Sequence, residues 1–423
     1  MSFHQPYVLP SFKDAVPESW RSNNAPKPPA SSLQTVVVSS LSSSQNAGGH
    51  TDISVPLGPS SGIMSQAYIK FTVKTTATTA DTARFKGSQS SALALINRYT
   101  TSVNGISLDT ISNFDQSAGD LLNHCTSSDW LKNDSAVLMG SNVVFTATAA
   151  GGISGGPGFS ETFCIPLFGF LSGTIPSYLM NGQLNIGLDY NPIARSFQLL
   201  TGTGITAIEI SSVQLVYDRV SPSQEFIEMV KADLRQGNKF VIPYVNIQNV
   251  NLVSQNGSNN LSVGCNYSSL RSVIMSQVVS ADYYTAASAG LSINAGLSQF
   301  QVSVDGRLLS AVSYDTVNSP SLCFLEAQKA CGRAWDSSMS DPCAYQLSIN
   351  ANLTSNQVRT YLTNNFFAGT SGLRVNEQLA FAGTPVSVLS LNWTTTSAPT
   401  ANITLLADMQ CLLDDQGNCV IYR

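Results

Sequence analysis

The sequence predicts an all-β protein made of two antiparallel sandwiches in tandem, joined by one short α-helix. Three observations predict it. Apolar and polar residues alternate along many short stretches, the two-residue period of a half-buried strand. The stretch YTTSVNG, Tyr99 to Gly105, returns as FQVSVDG, Phe300 to Gly306, with the same spacing of residue types. Near the middle of the 423 residues stands one clear amphipathic helix, SPSQEFIEMVKADLRQG.

Length suggests two or three units of roughly 150 to 200 residues, each able to bury a core. Only 11% of residues are charged, well below the roughly 25% of an ordinary soluble domain. That leaves a polar surface with little charge repulsion to resist self-association. A net charge of −5 and the lack of any basic run argue against a general grip on nucleic acid.

Residues 1–30 carry Pro6, Pro10, Pro17, Pro26, Pro28 and Pro29 with scattered aromatics and no sustained period, and are expected to form an extended arm. The opening MSFHQPYVLP lacks the layout of a secretory signal, and no apolar run is long enough for a membrane-spanning helix.

The first β unit, 31–220, begins with TVVVSSL, TDISVPL and AYIKFTV. In the last of these Ala67, Ile69, Phe71 and Val73 share one face. YTTSVNG is a strand entering a tight hairpin, because Asn-Gly and Asp-Gly tolerate the positive φ of a type I′ turn. Between Gly105 and Gly156 the period weakens into a long excursion, with short helices expected near Ala118 to His124. Strands resume at ETFCIPLF, a helical turn is expected over Ser177 to Met180, and QLNIGLDY and IEISSVQLVYD follow. The phase of the last strand changes between Ile210 and Val213, which requires a bulge.

The connector helix, 221–237, is expected to take Ser221 as its cap with Gln224 completing a capping box, and Gly237 as a left-handed stop. Phe226, Ile227, Val230 and Leu234 line its docking face. The second β unit, 238–423, begins with FVIPYVNIQNVNLV and ends on a strand alternating at Ile403, Leu405, Ala407, Met409, Cys411 and Leu413. AYIKFTV resembles SLRSVIM at 269–275, and VQLVYD at 213–218 resembles MQCLLD at 409–414. With the twin hairpins these echoes share an offset near 200, as an internal duplication would produce. Two such units with many short strands and little helix point to jelly rolls of eight strands each.

Chemistry is sparse. GISGG matches G-x-S-x-G with Ser154 as the nucleophile, but His4, His50 and His124 all precede it, so the motif reads as a Gly-rich loop. His124-Cys125 are chain neighbours, a poor geometry for a nucleophile and its base. Asp189, Asp218, Asp414 and Asp415 lie at strand ends and turns, where local hydrogen bonds account for them. GTGITA at Gly202 lacks the third glycine of a dinucleotide loop. The eight cysteines show no CxxC pair and are expected to be mostly buried thiols. No catalytic, cofactor-binding or metal-binding residue is assigned, and no enzyme is expected.

A β half closing with EISSVQLVYDRVSPSQEFIEMVKADLRQGNKFVIPY, then a second β half ending ANITLLADMQCLLDDQGNCVIYR, resembles the double jelly-roll major capsid proteins of tailless icosahedral DNA viruses, most closely those of virophages and polinton-like viruses. The resemblance spans about residues 31–423 and rests on order and texture. It implies a structural virion protein whose homotrimers form pseudo-hexagonal capsomers that tile an icosahedral shell, with penton and minor capsid proteins as further partners. It also implies exposed or intersubunit loops near 106–160 and 277–296, and an arm acting as an internal clasp. The competing reading is a carbohydrate- or receptor-binding β-sandwich protein, a viral spike or a lectin.

Overall fold

The structure is a computed structural model. It describes residues 32–422 apart from 88–89, 126–129, 131–132, 280, 282–283, 286–287, 311–314, 317, 333–365 and 373–382. The expected arm at 1–30 lies outside the described residues.

Among the described residues, twelve strands precede the connector: β1 (Ser32–Ser39), β2 (Ser44–Asn46), β3 (His50–Leu57), β4 (Ile63–Thr76), β5 (Thr82–Phe85), β6 (Ile96–Val103), β7 (Ile106–Ser112), β8 (Phe145–Thr146), β9 (Ser160–Pro166), β10 (Gly182–Tyr190), β11 (Phe197–Thr201) and β12 (Ala207–Ser221). Two four-strand sheets form the first sandwich, in the orders β1-β12-β4-β9 and β3-β10-β6-β7, with β2 added beside β12. Every pairing in them is antiparallel. Each strand's sequence neighbour tends to lie in the opposite sheet, which is the winding of a jelly roll. The small sheet β11-β5-β8 closes one end around Phe85, which packs against Phe145, Phe163 and Phe197 at 4.9 to 5.3 Å between ring centres.

After the connector come β13 (Phe240–Val253), β14 (Gly257–Val278), β15 (Gln299–Val304), β16 (Arg307–Leu308), β17 (Phe367–Ser371), β18 (Thr384–Thr395), β19 (Thr400–Leu413) and β20 (Cys419–Tyr422). The winding repeats, with one change. Strand β14 does the work of both β3 and β4: its first part pairs with β18, and its last part pairs with β19 and β17. The register breaks at Gly264/Tyr267 and Tyr267/Leu270, and Asn266 takes a φ of 47° at that corner. The two sheets of the second roll are therefore β13-β19-β14-β17 and β14-β18-β15-β16. Eight strand segments build each roll.

Local expectations hold in detail. Asn104-Gly105 and Asp305-Gly306 take φ of 51°, 79°, 49° and 79° at the β6–β7 and β15–β16 turns. The two turns are thus equivalent in the two rolls. The bulge in β12 falls between Ser211 and Gln214, with Ser212 at φ 53°. The other two echoes also land on matching strands, β4 with late β14 and β12 with β19.

Among the described residues the helices longer than one turn are α1 (Phe114–Cys125), α2 (Asp134–Met139), α3 (Gln224–Arg235) and α4 (Pro320–Ala330). In α3, the connector, Ile227, Val230 and Leu234 are buried as expected, and Gly237 takes a φ of 92°. Its cap is Ser223, whose Oγ accepts from Phe226 N at 3.2 Å, and not Ser221. The reason is that β12 runs on to Ser221, which pairs with Ser32, so that residue is committed to the sheet. A 3-10 turn covers Ser177–Leu179.

The excursion after Gly105 is less irregular than its sequence suggests. Strand β7 starts at once, and α1 follows it. In β19 the alternating apolar residues are all buried, and so are Asn402, Thr404, Leu406 and Asp408 between them. The second face of β19 is therefore covered too, and what covers it includes the first roll.

Candidate functional site

The described residues hold no cluster of three or more His, Cys, Asp or Glu suited to a metal ion. Ser154 lies in a 3-10 turn over Ile153–Gly155 at φ 54°, on an exposed loop. That is a Gly-rich turn and not a strand-to-helix elbow. His50 is engaged elsewhere: Nδ1 meets Asp189 Oδ1 at 2.5 Å and Nε2 meets Asp52 Oδ1 at 2.9 Å. Burial alone would lower its pKa, but the two carboxylates outweigh it and raise the pKa. Asp189 is thus held by an imidazole across β3 and β10, rather than by local backbone. Asp414 does serve its own turn, accepting from Gln416 N and Asn418 N at 3.0 and 2.8 Å. Asp218 accepts from Thr35 at 2.9 Å. The side chains of His124 and Cys125, and all of His4, lie outside the described residues.

What the fold does build is a seam between the rolls. On the first roll, β7 presents Leu108 and Asp109, both buried. On the second, β13 presents Tyr244 and Asn246. Tyr244 donates its hydroxyl to Leu108 O at 3.3 Å and meets the ring of Phe170 edge-on at 5.5 Å. Asp109 accepts from Asn246 Nδ2 at 3.1 Å, from Thr101 Oγ1 at 2.8 Å and from Phe170 N at 2.8 Å. Burial pushes the Asp109 carboxyl up to about 6, against the opposing pull of these three donors.

A second polar group lies where α1 crosses the outer face of the second roll. Ser276 of β14 donates to Asp120 at 2.5 Å, Asn402 of β19 reaches both at 3.4 to 3.5 Å, and Asn113 reaches Asn249 at 3.4 Å. Beside it Arg195 grips Asp115 with two bonds of 2.9 Å and Asn113 with a third. Burial raises the Asp115 pKa despite that cation. A narrow cleft runs along this seam, lined by Lys86, Asp115, Asp120, Arg195, Val278 and Gly290. Lys86 spans it, donating to Thr285 O at 2.7 Å.

These seam residues are ones that sequence reading passed over. The only signal was a carboxylate in ISLDTIS, directly after the apolar Leu108 and two places before Ile111 in a short strand. Cysteine usage also differs in part from expectation. Cys411 and Cys419 are bonded to each other across the β19–β20 hairpin, while Cys265 and Cys323 are buried thiols and Cys164 is half-buried.

The fold and the seam together define the class: a double jelly roll, two eight-stranded rolls of one winding set side by side in one chain. Comparison with solved structures bears this out. The PBCV-1 capsid protein VP54, as fitted into a reconstruction of the virophage Sputnik, matches with a TM-score of 0.60 at 8% identity, over 93% of this chain and 97% of that one. The Faustovirus major capsid protein matches with a TM-score of 0.57 at 9% identity, over 92% of each chain. The mavirus major capsid protein matches with a TM-score of 0.54 at 12% identity, over 96% of this chain and 94% of that one. This chain has the double jelly-roll fold of those major capsid proteins. No family model matches the sequence, and no curated protein matches it.

Proposed function

We propose that this chain is a major capsid protein, a non-enzymatic building block of a virion. One observation carries the reading: the whole described chain, both rolls and the seam, is spent on a fold shared over more than nine-tenths of its length with major capsid proteins. The composition agrees, since a chain with only 11% charged residues suits a subunit surrounded by neighbours.

The working unit in this reading is a homotrimer. Three chains supply six rolls, so threefold symmetry suffices to approximate a hexagonal outline that tiles an icosahedral shell. The chain divides into an arm at 1–30, a first roll at 31–220, a connector at 221–237 and a second roll at 238–423. Penton and minor capsid proteins would fill the remaining positions of the shell. Nothing in the charge pattern favours a nucleic-acid partner. No helix among the described residues is long and apolar enough to cross a membrane.

Purified protein tests this directly. Solution mass should correspond to three chains, and negative-stain images should show hexagonal outlines or shells. A stable monomer that binds a glycan array would replace the proposal with the lectin reading.

A further inference from the structure

Three Asn-Gly dipeptides occur in the chain: Asn104-Gly105, Asn181-Gly182 and Asn256-Gly257. Asparagine is a thermolabile residue type, and a following glycine leaves no side chain to shield the peptide nitrogen that can attack its amide. The fold treats the three pairs differently.

Two of them are locked together. Asn104 Oδ1 accepts from Gln183 N at 2.9 Å, and Asn104 Nδ2 donates to Asn181 O at 2.7 Å. Asn181 in turn donates its Nδ2 to Gln416 O and its backbone N to Gly417 O. Gly182 lies so close that an added Cβ would fall 1.8 Å from Asn104 Oδ1. Neither side chain can swing onto its glycine without first breaking these bonds.

The third pair is open. It lies in the turn between β13 and β14, where buried Asn259 grips the residues on both sides. Asn259 Oδ1 accepts from Gln255 N at 2.7 Å, and its Nδ2 donates to Gln255 O at 2.9 Å and Gly257 O at 3.0 Å. Asn256 between them is exposed, and its side chain makes no hydrogen bond among the described residues. Gly257 takes a φ of 105°, and a Cβ added there would meet no heavy atom within 4 Å.

We propose that Asn256 is a site of spontaneous deamidation, the pair among these three that the folded chain leaves reactive. The Gly257 nitrogen gives its proton to hydroxide and forms a bond to Asn256 Cγ. The Cγ–Nδ2 bond then breaks, and ammonia leaves with a proton from water, which restores the hydroxide. Water opens the resulting succinimide. Cleavage of the new N–Cγ bond gives aspartate, while cleavage of the original peptide bond gives isoaspartate, whose main chain runs through Cβ. One water is consumed and one ammonia released, with no change of oxidation state.

Either product carries a carboxylate, so each event adds one negative charge to an exposed turn. Isoaspartate also adds a backbone atom between the two residues that Asn259 holds, which loosens that grip. On the capsomer reading above, copies are not replaced after assembly, so the converted fraction records the age of a particle. That use rests on that reading; the modification itself does not.

The test incubates the folded full chain at mildly alkaline pH beside a sample in urea, and maps both by peptide mass spectrometry. In the folded chain Asn256 should gain about 1 Da at a rate about tenfold or more above Asn104 and Asn181, whose hydrogen bonds add to the barrier. In urea that gap should close. Anion exchange of the folded sample should resolve a later-eluting form, and Asn256→Gln, which needs a larger ring, should abolish it. Conversion of Asn104 or Asn181 in the folded chain as fast as Asn256 would overturn the assignment, and so would an Asn256 that stays intact while folded. Neither result touches the capsomer reading, and a chain that is monomeric in solution would remove that reading without altering this site.

Discussion

Asn104 and Asp305 hold the same post in the two rolls. Asn104 Oδ1 accepts from Gln183 N at 2.9 Å, and its own amide donates to Gln183 O at 3.1 Å. Asp305 Oδ1 accepts from Val388 N at 2.8 Å, and its own amide donates to Val388 O at 2.9 Å. Each turn residue thereby pins the neighbouring strand, β10 or β18, to the hairpin beside it. The repeated sequence is a repeated joint.

Asn104→Ala and Asp305→Ala should therefore each cost about 1 to 2 kcal/mol. The side-chain bonds are lost, and alanine at positive φ adds strain. Urea midpoints at constant slope would measure this. A change within about 0.3 kcal/mol at both sites would remove the joint's claimed role.

The buried carboxyl at the seam makes stability depend on pH. Asp109 titrates near 6 when folded, above the roughly 3.9 of an unfolded aspartate. The folded state therefore holds the proton more tightly. Its contribution to stability is fully present below about pH 4 and is lost as pH rises through about 6, by about 2 to 3 kcal/mol. Asp109→Asn should flatten the melting-temperature profile between those values. An unaltered slope there would assign the dependence to another group.

Truncating the cation beside the seam has a signed consequence as well. Arg195→Ala leaves Asp115 buried without its partner, and the loss should be about 3 to 5 kcal/mol near neutral pH. It should shrink toward pH 4, because burial already favours the protonated form of Asp115. Equal losses at both pH values would show that packing, not charge, is what Arg195 supplies.

The bond between Cys411 and Cys419 closes a loop with a sequence separation of 8. Cys419→Ser should lower stability by about 2 kcal/mol, because the unfolded hairpin gains freedom. Peptide mapping without reductant should recover the two cysteines in one linked fragment. Finding both as free thiols in the folded protein would contradict the pairing.

The amino-acid sequence on its own determined the period of the strands, the twin turns, the β12 bulge and the apolar face of α3. Each of these depends on residues within a few places of one another, where sterics and burial pattern act directly on the backbone. The tertiary structure alone decided that β7 follows the first turn as a seam strand, and that β14 serves as two strands bent at Asn266. It also decided that Asp109 is buried while Asp189 meets His50, and that Ser223 rather than Ser221 caps the helix. Those outcomes turn on which distant surface lands opposite a residue, and no local period encodes that.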